Sequence, residues 1–147
     1  MTTVIQPMSE ADREPVLAMM RRFYRSDAVL TNGSEEIFQR DIENCVGKSP
    51  FLEGFVFKEQ EDILGYAMIA KSFSTEFGCP CIWIEDLYVE EPFRGQGIGS
   101  RFLQYIRDRF PKAVLRLESE RENRRAIAVY EKNGFAVFDY QEMIQHP

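Results

Sequence analysis

Histidine and cysteine, the residue types that dominate metal sites, are scarce in this 147-residue chain. It has a single histidine, His146, beside the C-terminal proline, and three cysteines. An odd number of cysteines is a poor basis for a disulfide framework. Cys79 and Cys81 are separated by one residue, whereas paired zinc ligands are usually separated by roughly two to four. We therefore expect neither a metal site nor a disulfide framework.

Long apolar segments are also missing. No uninterrupted apolar run exceeds five residues, as in Tyr66–Ala70, whereas a membrane-spanning helix needs about 20. Charged residues between Glu10 and Glu14 leave no room for the apolar core of a signal peptide. The hydrophobic and charged fractions, 44% and 29%, are typical of globular proteins. We expect one domain over residues 1–147, located in the cytoplasm and not associated with a membrane.

Charge is unevenly distributed along the chain, which has 24 acidic and 18 basic residues. Residues 92–132 contain ten Lys/Arg against five Asp/Glu, whereas residues 1–91 contain eight against seventeen. The basic stretch favours a polyanionic ligand, and the remainder of the chain repels one. Ordinary solvated helix faces rich in arginine are the alternative interpretation. Nucleic-acid binding is not expected with an isoelectric point near 4.9.

Hydrophobic periodicity predicts the element order βααβββαβαβ. This order indicates an α+β fold, a three-layer sandwich in which helices flank a mixed, mostly antiparallel sheet. The most strand-like stretch is Cys81–Val89, which is nearly all β-favouring residues. A helix is predicted to follow it from Ile98 to Phe110, and another follows Asn123. The last predicted strand runs from Phe135 to Ile144.

A glycine-rich turn lies between the strand ending at Val89 and the following helix, in the segment Arg94–Ser100. Glycine lets the backbone approach a ligand closely, and a helix N-terminus offers unpaired N–H groups and a positive dipole end. Such a turn favours a phosphate. A dinucleotide-binding motif would need glycine in place of Ser100 or Phe102, and a P-loop would need lysine after Gly99. A turn with a purely structural role is the remaining alternative.

The pattern Arg-x-x-Gly-x-Gly after an apolar strand resembles the acetyl-CoA signature of the GNAT superfamily of N-acetyltransferases. A second segment, Asn123-x-x-Ala126-x-x-x-Tyr130 and onward to Phe135, resembles a later motif of the same family and begins about 25 residues downstream. The resemblance is dense from Trp83 to Phe138, whereas the first half matches in element order alone. It implies a GNAT fold and an acetyl-CoA-dependent N-acetyltransferase that needs no metal.

The resemblance also assigns cofactor-binding roles. The strand Leu87-Tyr88-Val89 is expected to pair with the pantetheine arm as an added strand, and the Leu87 N–H is expected to polarise the thioester carbonyl. Asn123 is expected to contact the cofactor arm. An arginine of the third or fourth helix would meet the 3′-phosphate, but the motif does not specify which one. The expected pyrophosphate site consists of Arg94, Gly95, Gln96, Gly97, Ile98, Gly99 and Ser100.

Acyl transfer also needs an acid for the departing thiolate and a base for the amine. Tyr130 is the predicted acid, with a core aromatic role as the alternative. Glu85 and Asp86 are the candidate bases because carboxylates inside an apolar strand are costly to bury. Strand alternation places the two on opposite faces unless a bulge intervenes. Glu85 matches the catalytic glutamate of polyamine-type family members and is the favoured base; a solvated strand-edge acid is the alternative.

The acidic first half predicts a cationic acceptor, a primary amine on a small molecule such as a polyamine, a basic amino acid or an aminoglycoside-like compound. Phe23, Tyr24, Phe73 and Glu85 are the predicted acceptor-binding residues. A peptide or protein amine is the alternative acceptor. A GNAT-fold sensor that binds acyl-CoA without turnover is the alternative function. The family resemblance also raises the possibility of a homodimer.

Overall fold

The structure, a computed structural model, describes residues 2–147 and builds them around one five-stranded sheet. The strands are β1 (Val4–Pro7), β2 (Leu52–Glu59), β3 (Asp62–Ser74), β4 (Cys79–Val89) and β5 (Val114–Leu117). The helices are α1 (Arg13–Phe23), α2 (Glu35–Val46), α3 (Ile98–Arg109) and α4 (Arg124–Lys132). The strand order is β1-β2-β3-β4-β5, with antiparallel pairs up to β4 and a parallel β4–β5 pair. The predicted mixed, mostly antiparallel α+β sandwich is confirmed.

Two apolar clusters, one on each face of the sheet, form the core. Alternation along β2 sends Phe55 and Phe57 to one face and Val56 to the other. The first face packs against α3, whose Phe102 and Ile106 are fully buried at a spacing of one helical turn. The second face packs against α1 and α2. These two helical layers therefore give the β4 side chains two different environments.

Polar side chains mark the beginnings of the helices. The Ser9 backbone N–H donates to Asp12 Oδ2 at 2.8 Å ahead of α1. Ser34 Oγ accepts from the Ile37 N–H at 3.2 Å and caps α2. Asn123 Oδ1 accepts from the Ala126 N–H at 3.3 Å and caps α4. Each cap satisfies a backbone donor that the helix itself leaves unpaired.

A β-bulge interrupts β4 at Glu85. Met68 of β3 is opposite Asp86, whereas the next residue, Ile69, is opposite Ile84, so that Glu85 has no cross-strand partner. An extra residue of this kind resets the alternation of the strand beyond it. Ile84 consequently packs in the α3-side cluster, whereas Tyr88 packs in the α1/α2-side cluster.

The end of β4 has an open edge. β5 pairs with β4 only from Cys81 opposite Val114 to Ile84 opposite Leu117. Beyond Ile84 the β4 edge that faces away from β3 has no neighbouring strand among the described residues. A strand edge of this kind presents unpaired backbone donors and acceptors.

The strand predicted over Phe135–Ile144 is not formed, so the observed order is βααβββαβα. Val137 is 92% exposed and Ile144 is 79% exposed. Side chains hold the segment instead: Phe138 packs on the Arg116 guanidinium at 5.2 Å, and the Tyr140 hydroxyl donates to Glu76 at 2.6 Å. The physical reason is that β5 offers an edge of only four residues, too short to template a ten-residue ladder. The exposed apolar residues also find no surface on which to pack.

Candidate active site

The bulge brings the two candidate bases to the same face of the sheet. Burial raises the pKa values of Tyr24, at the end of α1, and Asp41, on α2, and the charge of Glu85 adds to both increases. Asp86 acts on the same two groups and accepts a hydrogen bond from Tyr24. Both carboxylates therefore lie on the α1/α2 side of β4. Simple alternation would separate them, and the bulge is the reason that it does not.

Asp86 is a buried and fully partnered carboxylate. Its side chain is 4% exposed. The Tyr66 hydroxyl donates to Oδ2 at 2.6 Å, and the Tyr24 hydroxyl donates to Oδ1 at 3.0 Å. Burial raises the pKa of Asp86, and the two hydrogen bonds oppose that increase. Both oxygens are engaged and solvent is excluded, so this environment is typical of a structural carboxylate. Sequence reasoning missed Tyr66, although a tyrosine inside an apolar strand signals a buried partner for its hydroxyl.

Glu85, in contrast, is exposed and forms no salt bridge with any described residue. Desolvation by the surrounding protein raises its pKa, and the charges of Asp86 and Glu142 add to that effect. A raised carboxyl pKa makes proton uptake near neutral pH easier than for an ordinary glutamate. Between the two candidates, Glu85 alone is open to a ligand.

Further carboxylates surround Glu85 and Asp86, which sequence reasoning did not identify. Burial, and then the charge of Asp86, raises the pKa of Asp41 to about 6. A hydrogen bond with Glu142 raises the pKa of Glu118 to about 7, and the charge of Glu85 contributes. We call five residues the acidic cluster, one on α2, two on β4, one directly after β5 and one in the C-terminal segment: Asp41, Glu85, Asp86, Glu118 and Glu142. No described residue forms a salt bridge with any of them.

The open edge of β4 presents the backbone of Leu87. The Glu90 N–H donates to Leu64 O at 2.8 Å and so points towards β3. In an antiparallel strand, successive residues direct their N–H and C=O groups to opposite edges. Val89 and Leu87 therefore point away from β3, which agrees with Val89 O accepting from Arg94 Nε at 2.7 Å. The Leu87 N–H and C=O are thus aimed into the gap beside β5, as the predicted pantetheine contact requires.

The glycine turn has the form of a cradle for an anion. Gly95 and Gly97 have φ values of 79° and 80°, a left-handed conformation that side chains disfavour. A Cβ added at Gly97 or Gly99 would meet nothing within 4 Å, so the space beside the backbone is open. Within the described chain, the N–H groups of Gly95, Gln96 and Gly97 donate to no backbone carbonyl. Together with the free N–H groups at the start of α3, these donors fit a pyrophosphate.

The side chains around the turn have structural partners. Arg94 is bonded to Val89 O, and its guanidinium lies 5.4 Å from the Tyr88 ring centroid. Ser100 Oγ accepts from Asn133 Nδ2 at 2.9 Å, which ties the end of α4 to the start of α3. The side-chain oxygen of Asn123 caps α4. Ile98 is buried in the core below the turn. The predicted cofactor roles of these residues accordingly rest on their backbone groups.

Tyr130 lies on α4 and packs beside the α3-side cluster, to which Leu87 also belongs. Its ring contacts Phe135 edge-on at 6.2 Å. Burial raises the pKa of Tyr130, which keeps the phenol protonated at neutral pH. Its hydroxyl makes no hydrogen bond with another described residue. A half-buried phenol with a free hydroxyl is available to donate a proton or a hydrogen bond to a ligand.

Two of the three predicted aromatic acceptor residues lie beside the acidic cluster. Phe23 packs against the rings of Tyr66 and Tyr88 at 6.4 and 5.6 Å, and Tyr24 contacts Asp86 directly. Phe73 is not brought to this place. It is 63% exposed and pairs with Pro80 at the opposite end of β4, about 16 Å from Glu85 at the usual rise of a strand.

A cavity of about 660 Å³ lies between α3, the end of α4 and the start of β5. None of the candidate catalytic residues lines it. Within residues 2–147, no group of three or more His, Cys, Asp or Glu side chains is arranged to hold a metal ion. None of the helices described is long and apolar enough to cross a membrane.

The glycine turn, the open strand edge and the mixed sheet together define an acyl-CoA-binding acyltransferase, and the comparisons agree. The model of the acetyltransferase (GNAT) family matches residues 17–135. The chain belongs to this family and is an N-acetyltransferase with acetyl-CoA as its co-substrate.

Similar proteins include two curated acetyltransferases. The uncharacterized N-acetyltransferase YhfO of Bacillus subtilis is 28% identical over 124 residues, covering 82% of this chain and 79% of that protein. The thialysine N-ε-acetyltransferase of Bos taurus is 28% identical over 144 residues, covering 89% of this chain and 82% of that protein.

Two solved structures show the same fold. A possible acetyltransferase from Clostridium difficile 630 superposes with a TM-score of 0.83 at 17% identity, covering 100% of this chain and 99% of that one. AAC(6′)-Iy, in complex with the bisubstrate analogue CoA-S-monomethyl-acetylneamine, superposes with a TM-score of 0.82 at 14% identity, again covering 100% and 99%.

Proposed function

We propose that this enzyme transfers the acetyl group of acetyl-CoA to a primary amine of a small cationic molecule. The observation that carries the proposal is the acidic cluster. The charges of five carboxylates act on one another around Glu85, and none of the five forms a salt bridge with a described cation. Uncompensated negative charge is costly, and a cationic ligand relieves that cost. The thialysine acetyltransferase among the relatives, whose name specifies an amine acceptor, agrees with this substrate class.

The proposed base is Glu85. A protonated amine docked in the acidic cluster must lose a proton before its nitrogen can attack a thioester. Glu85 is the exposed member of the pair on β4, and its pKa is raised, so it accepts that proton directly or through a water molecule. Asp86 is proposed to hold the site together through Tyr24 and Tyr66 instead of acting as the base.

The proposed electrophilic and acidic groups lie on the other side of the strand edge. When bound, acetyl-CoA supplies an activated acetyl group as a thioester. The Leu87 N–H, directed into the gap beside β5, donates to the oxygen on which charge develops. The Tyr130 hydroxyl donates its proton to the departing sulfur, for which a thiol pKa of roughly 8.5 makes protonation favourable at neutral pH. Glu85 takes the first proton of the ammonium. The second leaves the nitrogen as the carbon–sulfur bond breaks and replaces the proton that Tyr130 gave to the sulfur, so that the step releases one proton overall.

The test is release of free thiol from acetyl-CoA across a panel of amines matched in size and differing in charge. Diamines, lysine-like amino acids and aminoglycosides are expected to be acetylated, with kcat/KM falling as ionic strength increases because the acidic cluster attracts cations. Monoamines of equal size, such as glucosamine derivatives without a second amine, are the matched controls. They lack the additional positive charge and should react poorly. Turnover confined to peptide N-termini would contradict the proposal. Tight CoA binding with no turnover of any amine would indicate the non-catalytic sensor instead.

A further inference from the structure

Arg125 is a cation without a partner that lies beside the glycine turn. Its Nη2 atom is 3.7 Å from the position of a Cβ built on Gly95, and no other atom of a non-adjacent residue approaches that position within 4 Å. The side chain is exposed and forms neither a hydrogen bond nor a salt bridge with another described residue. A guanidinium held this close to an anion cradle is available to whatever the cradle binds.

The position of Arg125 on α4 is unfavourable without an anion. Arg124 and Arg125 are the first two residues of the helix, and its first turn contains no acidic residue. The N-terminus of a helix has a positive dipole end that disfavours cations and favours anions. Two adjacent arginines at this position oppose the helix dipole, and no described residue makes a contact that compensates for it. Such an exception is expected at a functional site.

Arg94, the arginine of the sequence motif, is placed differently. Its Nε donates to Val89 O, and its guanidinium stacks on Tyr88. Tyr88 belongs to the cluster on the α1/α2 side of the sheet, whereas the helix that begins at Ile98 packs on the opposite side. The Arg94 side chain is therefore engaged in holding the start of the turn against the end of β4.

We propose that Arg125 forms the ion pair with the pyrophosphate of CoA, and that Arg94 instead positions the turn. The planar guanidinium of Arg125 can donate two parallel hydrogen bonds to phosphate oxygens. The backbone N–H groups of the turn bind the same phosphates. This assignment rests on CoA binding by the family and adds a residue that the Arg-x-x-Gly-x-Gly motif does not contain.

The test is calorimetric measurement of Kd for CoA and for 3′-dephospho-CoA, with no acceptor present. Arg125→Gln is expected to raise Kd by about tenfold or more, since charge-assisted hydrogen bonds are the strong ones. The increase should be equal for both ligands because both contain the pyrophosphate. Arg125→Lys should recover part of the affinity because it keeps the charge and loses the planar fork. The matched control is Arg124→Gln, which removes the neighbouring charge from the same helix turn. It is compared on 3′-dephospho-CoA, which lacks the 3′-phosphate, and should change that Kd by less than about twofold.

Three results would overturn the proposal. The first is Arg125→Gln with the wild-type Kd, or with a loss no larger than that of Arg124→Gln. The second is a loss for CoA without a loss for 3′-dephospho-CoA, which would place Arg125 at the 3′-phosphate. The third is a wild-type chain that binds neither ligand, which would refute the CoA assignment as well and is thereby distinguishable from the other two. Thermal unfolding of each variant verifies that an altered Kd does not arise from misfolding.

Discussion

The two sides of β4 hold opposite charges, and neither set forms a salt bridge within the described chain. On the α1/α2 side, the acidic cluster surrounds Glu85 without a salt bridge. On the α3/α4 side, the glycine turn presents free N–H groups and has Arg125 beside it. Other charged groups form salt bridges, as Arg22 does with Glu90 at 2.7 Å. Unpaired charge of both signs, separated by one strand, is the arrangement on which the proposed cationic acceptor and the anionic co-substrate depend.

Each side of β4 also combines a charged group that the protein holds in position with one that is available to a ligand. Each side has one charged residue that the protein holds in place, Asp86 through its two tyrosines and Arg94 through Val89 O and the Tyr88 ring. Each side also has a charged neighbour that is exposed and unpaired, Glu85 and Arg125. A group whose donors or acceptors are already satisfied contributes rigidity, whereas an unsatisfied one contributes binding or chemistry.

The largest expected effect is on Glu85. Glu85→Gln removes the proposed base, and kcat/KM at pH 7 should fall by roughly 10²- to 10³-fold, the usual contribution of a positioned general base. Activity of the variant should rise further with pH than that of the wild type, since free amine then replaces the missing proton acceptor. Glu91→Gln, which alters an exposed glutamate beyond β4, is the control. A pH-independent loss would assign the base to another residue.

A smaller loss is expected from Tyr130→Phe. Removing the hydroxyl leaves the ring packed against Phe135 and deprives the departing thiolate of its donor, so kcat should fall by about 10- to 100-fold. The Kd for CoA should change little, because the hydroxyl is proposed to act on the sulfur as the bond breaks. Unaltered turnover with a good amine substrate would remove Tyr130 from the mechanism and leave it as a core aromatic.

The glycine turn is tested by two alanine substitutions that differ in backbone strain. Gly97→Ala places a side chain at φ 80°, which should destabilise the protein by about 1–2 kcal/mol. Gly99→Ala has ordinary φ and open space around the new Cβ, so the free energy of unfolding should be unchanged or slightly higher. Both should weaken CoA binding, since the methyl group occupies the space of the phosphate. Intact affinity in Gly99→Ala would show that the phosphate does not approach there.

The smallest effect is expected for Asp41→Asn, and it depends on pH. The pKa of Asp41 is raised to about 6 in the folded protein from an ordinary value of 3.8. The folded state therefore binds more protons between those values, and stability falls as pH increases through that window. Asp41→Asn should raise Tm above pH 6 and leave it unchanged below pH 4. An equal increase at both pH values would show that charge is not the cause.

Local features of the site could be predicted from the sequence. The glycine turn is specified by consecutive residues between a strand and a helix, and the segment from Asn123 to Phe135 forms a capped helix with Tyr130 on it. Phe73 shows the limit of this approach. It lies on β3 opposite Pro80, several residues along β4 from Glu85, and the sequence does not indicate this separation. The tail from Phe135 onward shows another limit, because alternating apolar residues do not form a strand without an edge of sufficient length.

By itself, the sequence determined the α+β class and the position of the glycine turn, because hydrophobic period, capping and glycine conformation act over a few residues. Its two motifs also indicated the family. Only the tertiary structure decided which carboxylate is buried, which arginine is free and where the sheet opens. These depend on the β3–β4 register, on the bulge at Glu85 and on the early divergence of β5. Such features arise from contacts between segments distant in sequence, and a one-residue change in register would reverse the face of every side chain beyond it.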